Sequence, residues 1–174
     1  MKTLTIGLLL FCWVTLCAGQ ETGLIANPTT PDIGGKWVLD TSKSNAGLAG
    51  ANPLAGADVK MVIEISDKEV RISRTMIVDG KEHLSDGFYY TDGRGETNPV
   101  FPYKGGEFQT TSRMVDMKLI TTWAQDIEVS GKPVHVEAEE SWDPLRDGKT
   151  LVNSISTRTP KGTETIKLYY RRVS

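Results

Sequence analysis

With 174 residues, a formal net charge of −2 and 24% charged residues, the chain has room for one domain with a single core. It lacks the basic excess that phosphate binding needs, which argues against a nucleic-acid partner. Its 39% hydrophobic content fits a globular protein rather than a disordered one.

The N-terminus reads as a secretory signal peptide over residues 1–19. Lys2 gives a positive start, Ile6 to Leu16 an apolar run, and Cys17-Ala18-Gly19 a small-residue cleavage region. Cleavage is expected after Ala18 or Gly19. Both cysteines, Cys12 and Cys17, lie inside this segment, so the mature chain is expected to hold no disulfide and no thiolate chemistry. Leu16 before Cys17 is a poor lipid-attachment context, so the expected location is secreted or periplasmic without an anchor. No later stretch is long and apolar enough for a spanning helix, and none is expected in the mature chain. Residues 20–34, with Pro28 and Pro31, read as a linker, and residues 35–174 as the domain.

The domain opens on Gly35-Lys36-Trp37 and a first strand-like run to Asp40. Ser44 to Gly56, rich in Ala, Gly and Asn, reads as a long loop. Alternating runs follow at Val59–Ile65, Val70–Val78 and Glu82–Tyr90, the last two joined by Asp79-Gly80, a strong tight-turn signal. Phe108–Met114 is weaker. Met117–Val129 is strong at its start, with a kink expected near Gln125-Asp126. Val134–Trp142, Thr150–Thr159 and Thr163–Val173 complete the series.

No segment keeps a helical period. Short alternating strands joined by short turns predict an all-β, antiparallel up-and-down β-barrel of eight to ten strands. A closed antiparallel meander needs an even count, and the pattern gives nine runs. The expected tenth is Val100-Phe101-Pro102-Tyr103, with an eight-stranded barrel plus an outlier as the alternative.

The Gly35-Lys36-Trp37 triplet matches the G-x-W that opens the first strand of lipocalins. Together with Val38 to Ser44, Thr91-Asp92-Gly93-Arg94-Gly95-Glu96 and Asp147-Gly148-Lys149-Thr150-Leu151, it makes the chain similar to bacterial secreted lipocalin-like proteins of uncharacterised function. The resemblance covers most of Gly35 to Val173. It implies a lipocalin-like barrel whose closed end is plugged by Gly35 and Trp37, with Arg171 or Arg172 packed on the Trp37 ring. It also puts the Ser44–Gly56 loop at the open end, where it would act as a lid.

Alternation alone places three charged residues on otherwise apolar faces: Arg74, Asp86 and Glu140. A buried charge needs a partner, so each is read as a lumen anchor, or else as an internal ion pair or an outward bulge. Arg74 suits an anionic head group. Phe88, Tyr90, Trp123 and Trp142, and with them Trp37, Phe101, Phe108, Tyr169 and Tyr170, are aromatics that could line a lumen, although they could equally fill the core. Asp92, Arg94 and Glu96 form a charged loop that reads most simply as a solvated turn. Glu137, Glu139 and Glu140 read as a solvated strand face. His83 and His135 have no metal-ligand spacing, so no metal is expected.

No nucleophile elbow and no phosphate loop occurs, so no catalytic residue and no cofactor is expected. An outer-membrane barrel is disfavoured by charge on both strand faces and by the ending Arg172-Val173-Ser174. An enzyme acting from the Asp92–Glu96 loop or the barrel mouth would need convergent polar groups that the sequence does not name. Two further readings stand beside it. One is a barrel binding a small hydrophobic or amphipathic ligand in its lumen. The other is a structural or protein-interaction domain with a filled core.

Overall fold

The structure is a computed structural model that describes residues 32–44, 54, 57–99, 106–129 and 131–174. Ten strands occur among them: β1 (Gly35–Leu39), β2 (Asp58–Ile65), β3 (Glu69–Val78), β4 (Lys81–Tyr90), β5 (Glu96–Pro99), β6 (Glu107–Val115), β7 (Lys118–Val129), β8 (Lys132–Pro144), β9 (Thr150–Thr159) and β10 (Gly162–Val173). No helix lies among the described residues.

The strands form one antiparallel sheet in the order β4-β3-β2-β1-β10-β9-β8-β7-β6-β5, curled into a nearly closed up-and-down barrel. Period-two patterning explains the curl. On β2, Val59, Met61 and Ile63 are buried while Asp58, Lys60 and Val62 are exposed, so one face of the ribbon must turn away from water. β1 pairs antiparallel with β10, as an even strand count requires, with Trp37 opposite Arg172. β4 and β5, the two ends of the strand order, meet at a seam.

Several sequence expectations need correcting. The tenth strand among the described residues is β5 at Glu96–Pro99; the expected Val100–Tyr103 lies outside those described. Glu96 therefore belongs to a strand rather than a solvated turn, and its side chain is buried. β7 does not kink at Gln125-Asp126, because its pairing with β8 runs unbroken from Leu119 to Val129. Residues 1–31, which include the signal segment, and most of the Ser44–Gly56 loop lie outside the described residues. Ile33, in the expected linker, is fully buried and accepts a 2.9 Å hydrogen bond from the Trp37 indole N–H.

The core fills one half of the barrel. Trp37, Val59, Met61, Ile72, Leu119, Trp142, Leu151, Leu168 and Tyr170 pack together there, each at most 1% exposed. Burying a large apolar side chain is worth about 1.5–3 kcal/mol, so this half carries most of the hydrophobic stabilisation. Arg172, rather than Arg171, lies over Trp37, with its guanidinium carbon 4.3 Å from the ring centroid. It also donates to the carbonyls of Gly34 (2.7 Å), Asp32 (2.9 Å) and Gly148 (2.8 Å). Gly35 makes room for it: at φ 119°, any Cβ there would sit 2.7 Å from the Arg172 Nη1. Arg171 points to solvent.

Candidate functional site

The other half of the barrel is hollow. A cavity of about 290 Å³ is bounded by Arg74 of β3, Tyr89 of β4, Asn98 and Pro99 of β5, Phe108 and Thr110 of β6, and residues of β7, β8 and β9. On β7 the inward positions are Thr121, Trp123, Gln125 and Ile127; Val136 and Glu140 come from β8, and Ile155 and Thr157 from β9. Most of these side chains are short or polar, and they cannot meet across the lumen as the core residues do. One wall is aromatic and flat. Phe108 and Trp123 stack with centroids 4.8 Å apart and rings within 6° of parallel.

The cavity floor is polar. Arg74 is 3% exposed, and its guanidinium carbon lies 5.3 Å from the Trp142 ring centroid. Tyr89 hydrogen-bonds to it. Burial works against its positive charge, but the neighbouring Tyr89, Glu140 and Tyr170 outweigh that cost and raise its pKa. Glu140 accepts a 2.8 Å bond from the Asn153 amide. Burial pushes the Glu140 carboxyl up, more strongly than Arg74 and Asn153 pull it down. Burial likewise raises the phenols of Tyr89 and Tyr170, which stay neutral, and Tyr89 accepts its bond from the Arg74 guanidinium. Trp142 Nε1 and Tyr170 Oη are buried beneath the floor without a hydrogen-bond partner among the described residues. Such a group costs roughly 1–3 kcal/mol until something polar reaches it.

Of the seven residues expected in the lumen, Arg74, Trp123 and Glu140 border the cavity together. Trp142 lies under the floor as core. Asp86, Phe88 and Tyr90 are on the outer face of β4, which corrects the expected orientation of that strand. Asp86 pairs there with Arg71 and accepts a bond from Ser73. Phe88 is 40% exposed beneath the Arg71 guanidinium, and Arg94 covers the Tyr90 ring. The inward residues of this segment are Gly87 and Tyr89. Gly87 leaves room for the Tyr89 ring, since a Cβ there would sit 2.8 Å from it and the ring would have to shift.

Sequence reading missed Tyr89, Asn98, Thr110, Thr121, Gln125 and Thr157. For Thr121, opposite Glu140 on the neighbouring strand, the same-face rule was the available signal. The remaining charged features are outside the site. Asp92 and Arg94 form a bidentate ion pair at 2.9 Å, and His135 is an exposed partner of Asp126. Among the described residues no cluster of His, Cys, Asp or Glu could hold a metal ion.

No family model and no curated protein matches the sequence. Solved structures match the fold. A REP1-NXSQ fatty acid transporter is 16% identical, with 81% of this chain and 96% of that one covered at a TM-score of 0.53. Zebrafish ileal bile acid-binding protein complexed with cholic acid is 14% identical, covering 80% and 98% at a TM-score of 0.54. Secretory abundant heat soluble protein 4 from Ramazzottius varieornatus is 15% identical, covering 81% and 94% at a TM-score of 0.52. At these identities the likeness is one of fold, a lipocalin-like antiparallel barrel.

Proposed function

We propose that the chain is a carrier for a small, partly apolar ligand held in the hollow half of the barrel. The observation that carries this reading is the cavity of about 290 Å³, walled by the Phe108–Trp123 stack and floored by Arg74. Its size is near the lower end of the roughly 300–1,000 Å³ usual for small-molecule sites, so it suits a compact ligand. The apolar part lies along the stacked rings. A polar, acceptor-rich head faces Arg74 and Tyr89, with Glu140 beside it. Two structural neighbours are described as a fatty acid transporter and a bile acid-binding protein, a ligand chemistry of the same kind. The positively charged and apolar start of the chain supports a secreted or periplasmic setting, in which a carrier meets its ligand outside the cytoplasm.

The test is a titration of the purified protein with fatty acids, retinoids and haem-like compounds, read by tryptophan fluorescence. We expect saturable quenching with dissociation constants of about 1 µM for the best ligands, and loss of the signal change in Trp123→Phe. Absence of saturable quenching across the panel would overturn the carrier reading in favour of a barrel that acts through its surface.

A further inference from the structure

Among the described residues, backbone ladders join every neighbouring pair of strands except β4 and β5, where side chains do the joining, with one isolated bridge, Asp92 to Arg113, just beyond β4. Asn98 Oδ1 accepts the Phe88 N–H at 2.7 Å, and Asn98 Nδ2 donates to the Phe88 carbonyl at 2.8 Å. One carboxamide thus makes both bonds that a residue of a paired strand would make. Two residues along, the Tyr90 N–H donates to the Glu96 carboxylate at 3.2 Å.

The joint is anchored on the next strand. Asn98 Nδ2 also donates to Thr110, and the other Glu96 oxygen accepts from Thr110 at 2.8 Å and Ser112 at 2.6 Å. Ser112 in turn meets Thr121 at 2.9 Å. Glu96, Asn98, Thr110, Ser112 and Thr121 are all buried, so most of the buried polar residues of the described chain serve this one seam.

The seam is also a wall of the cavity, because Asn98, Pro99, Thr110 and Thr121 line it directly. Parting any other pair of strands breaks a ladder, whereas among the described residues parting β4 from β5 breaks three side-chain bonds. Pro99 has no N–H with which to extend the pairing. The opposite end of the barrel is shut by the packed half under Trp37.

We propose that the β4–β5 seam is a lateral door to the cavity and that Asn98 is its latch. The inference rests on the cavity being a ligand site. Opening would swing β4 outward with β3 as its hinge, breaking the bonds at Phe88 and Tyr90 and leaving the ladders intact. Such local openings fall in the microsecond-to-millisecond range.

The experiment uses the full chain and Asn98→Ala, with Glu96→Gln as a milder variant that retains Asn98. Amide hydrogen exchange reads the seam itself. Phe88 and Tyr90 point their N–H groups at β5, whereas Tyr89 points to β3 and serves as the internal control. Stopped-flow binding of 1-anilinonaphthalene-8-sulfonate, followed by quenching of Trp123, reads entry and exit. In Asn98→Ala we expect exchange at Phe88 to rise about fivefold to tenfold with Tyr89 unchanged. The association rate should rise by a similar factor, which the loss of a wall contact at Asn98 alone would not produce. Glu96→Gln should shift the same quantities less, and serves alone if Asn98→Ala does not fold. Faster exchange at Phe88 with unchanged binding rates would overturn the door and assign entry to the barrel mouth. If the probe does not bind the wild type at all, the carrier reading fails, and the door fails with it.

Discussion

The two halves of this barrel are built from the same strands and the same alternation, yet one is solid and the other is hollow. In the solid half the inward positions are Trp37, Met61, Ile72, Leu119, Leu151 and Leu168, long enough to interdigitate across the lumen. In the hollow half β7 alone passes from Leu119 to Thr121, Trp123 and Gln125, and β9 passes from Leu151 to Ile155 and Thr157. Alternation decides which face is inside, but side-chain reach decides whether the inside is filled. The polar layer of Arg74, Tyr89 and Glu140 marks the change from one regime to the other. A buried polar layer is costly without partners, and its partners here come from both sides: Trp142 from below and Asn153 from the wall.

The contrast can be broken from either side. Trp37→Ala hollows the solid half and should cost about 3–5 kcal/mol in denaturant unfolding. Arg172→Leu removes three bonds to carbonyls and the contact over Trp37, and should cost about 2–3 kcal/mol, while Arg171→Ala stays within about 0.5 kcal/mol. Equal losses for the two arginines would show that the plug does not depend on the guanidinium over the indole. Thr157→Phe acts in the opposite direction by filling the hollow half. Its thermal unfolding should change by about 1 kcal/mol or less, but it should weaken quenching ligands at least about tenfold. The smallest effect is a pH profile. The Glu140 carboxyl is raised above its ordinary value of 4.5, with burial as the main cause. The folded state therefore holds this proton more tightly than the unfolded chain. Stability from that proton is full below the ordinary glutamate range and is lost as pH rises through the raised value. Glu140→Gln should match the wild type at acid pH and melt progressively higher than it as pH rises toward neutrality. Parallel melting curves across that window would mean that the carboxyl is not strained by its surroundings.

Much of the architecture could be read from residues alone. Alternation located nine of the ten strands and parity demanded the tenth, while the contact of Trp37 with a C-terminal arginine was implied by the lipocalin resemblance and required an even count. Three things could not be read. β4 carries Leu84, Phe88 and Tyr90 on its outer face, so its apolar side is its wet side. Gly87 and Tyr89 face inward instead, and the missing side chain at Gly87 leaves room for the Tyr89 ring. β5 is only four residues long and reads Glu-Thr-Asn-Pro, a composition that signals a turn. It is a strand because Glu96 and Asn98 find buried partners on β4 and β6, which local sequence does not show. The cavity is a volume left over after packing, and no single residue encodes it. Arg74, Trp123 and Glu140 were legible as site residues because each is a charge or a large ring at an inward position. Thr110 and Thr157 were not, because an inward threonine resembles any other strand threonine.

The Arg172 clasp also bears on when the barrel can form. Its bonds to Gly34 and Asp32 join residues 138 and 140 positions apart, and those to Gly148 and the β10 register come from the same end of the chain. A chain that emerges N-terminus first holds β1 with a single neighbour, β2, until the last strand arrives. Trp37 meanwhile lacks Leu168, Tyr170 and the guanidinium that covers it. Contacts of such long sequence separation slow folding, so closure should be the late, rate-setting event, and Trp37 burial should report on it. Until then the chain is an open sheet with two bare edges, exposed to pairing with other chains. The last few residues therefore convert an aggregation-prone sheet into a closed vessel, and a loss at that end would be felt at the opposite terminus.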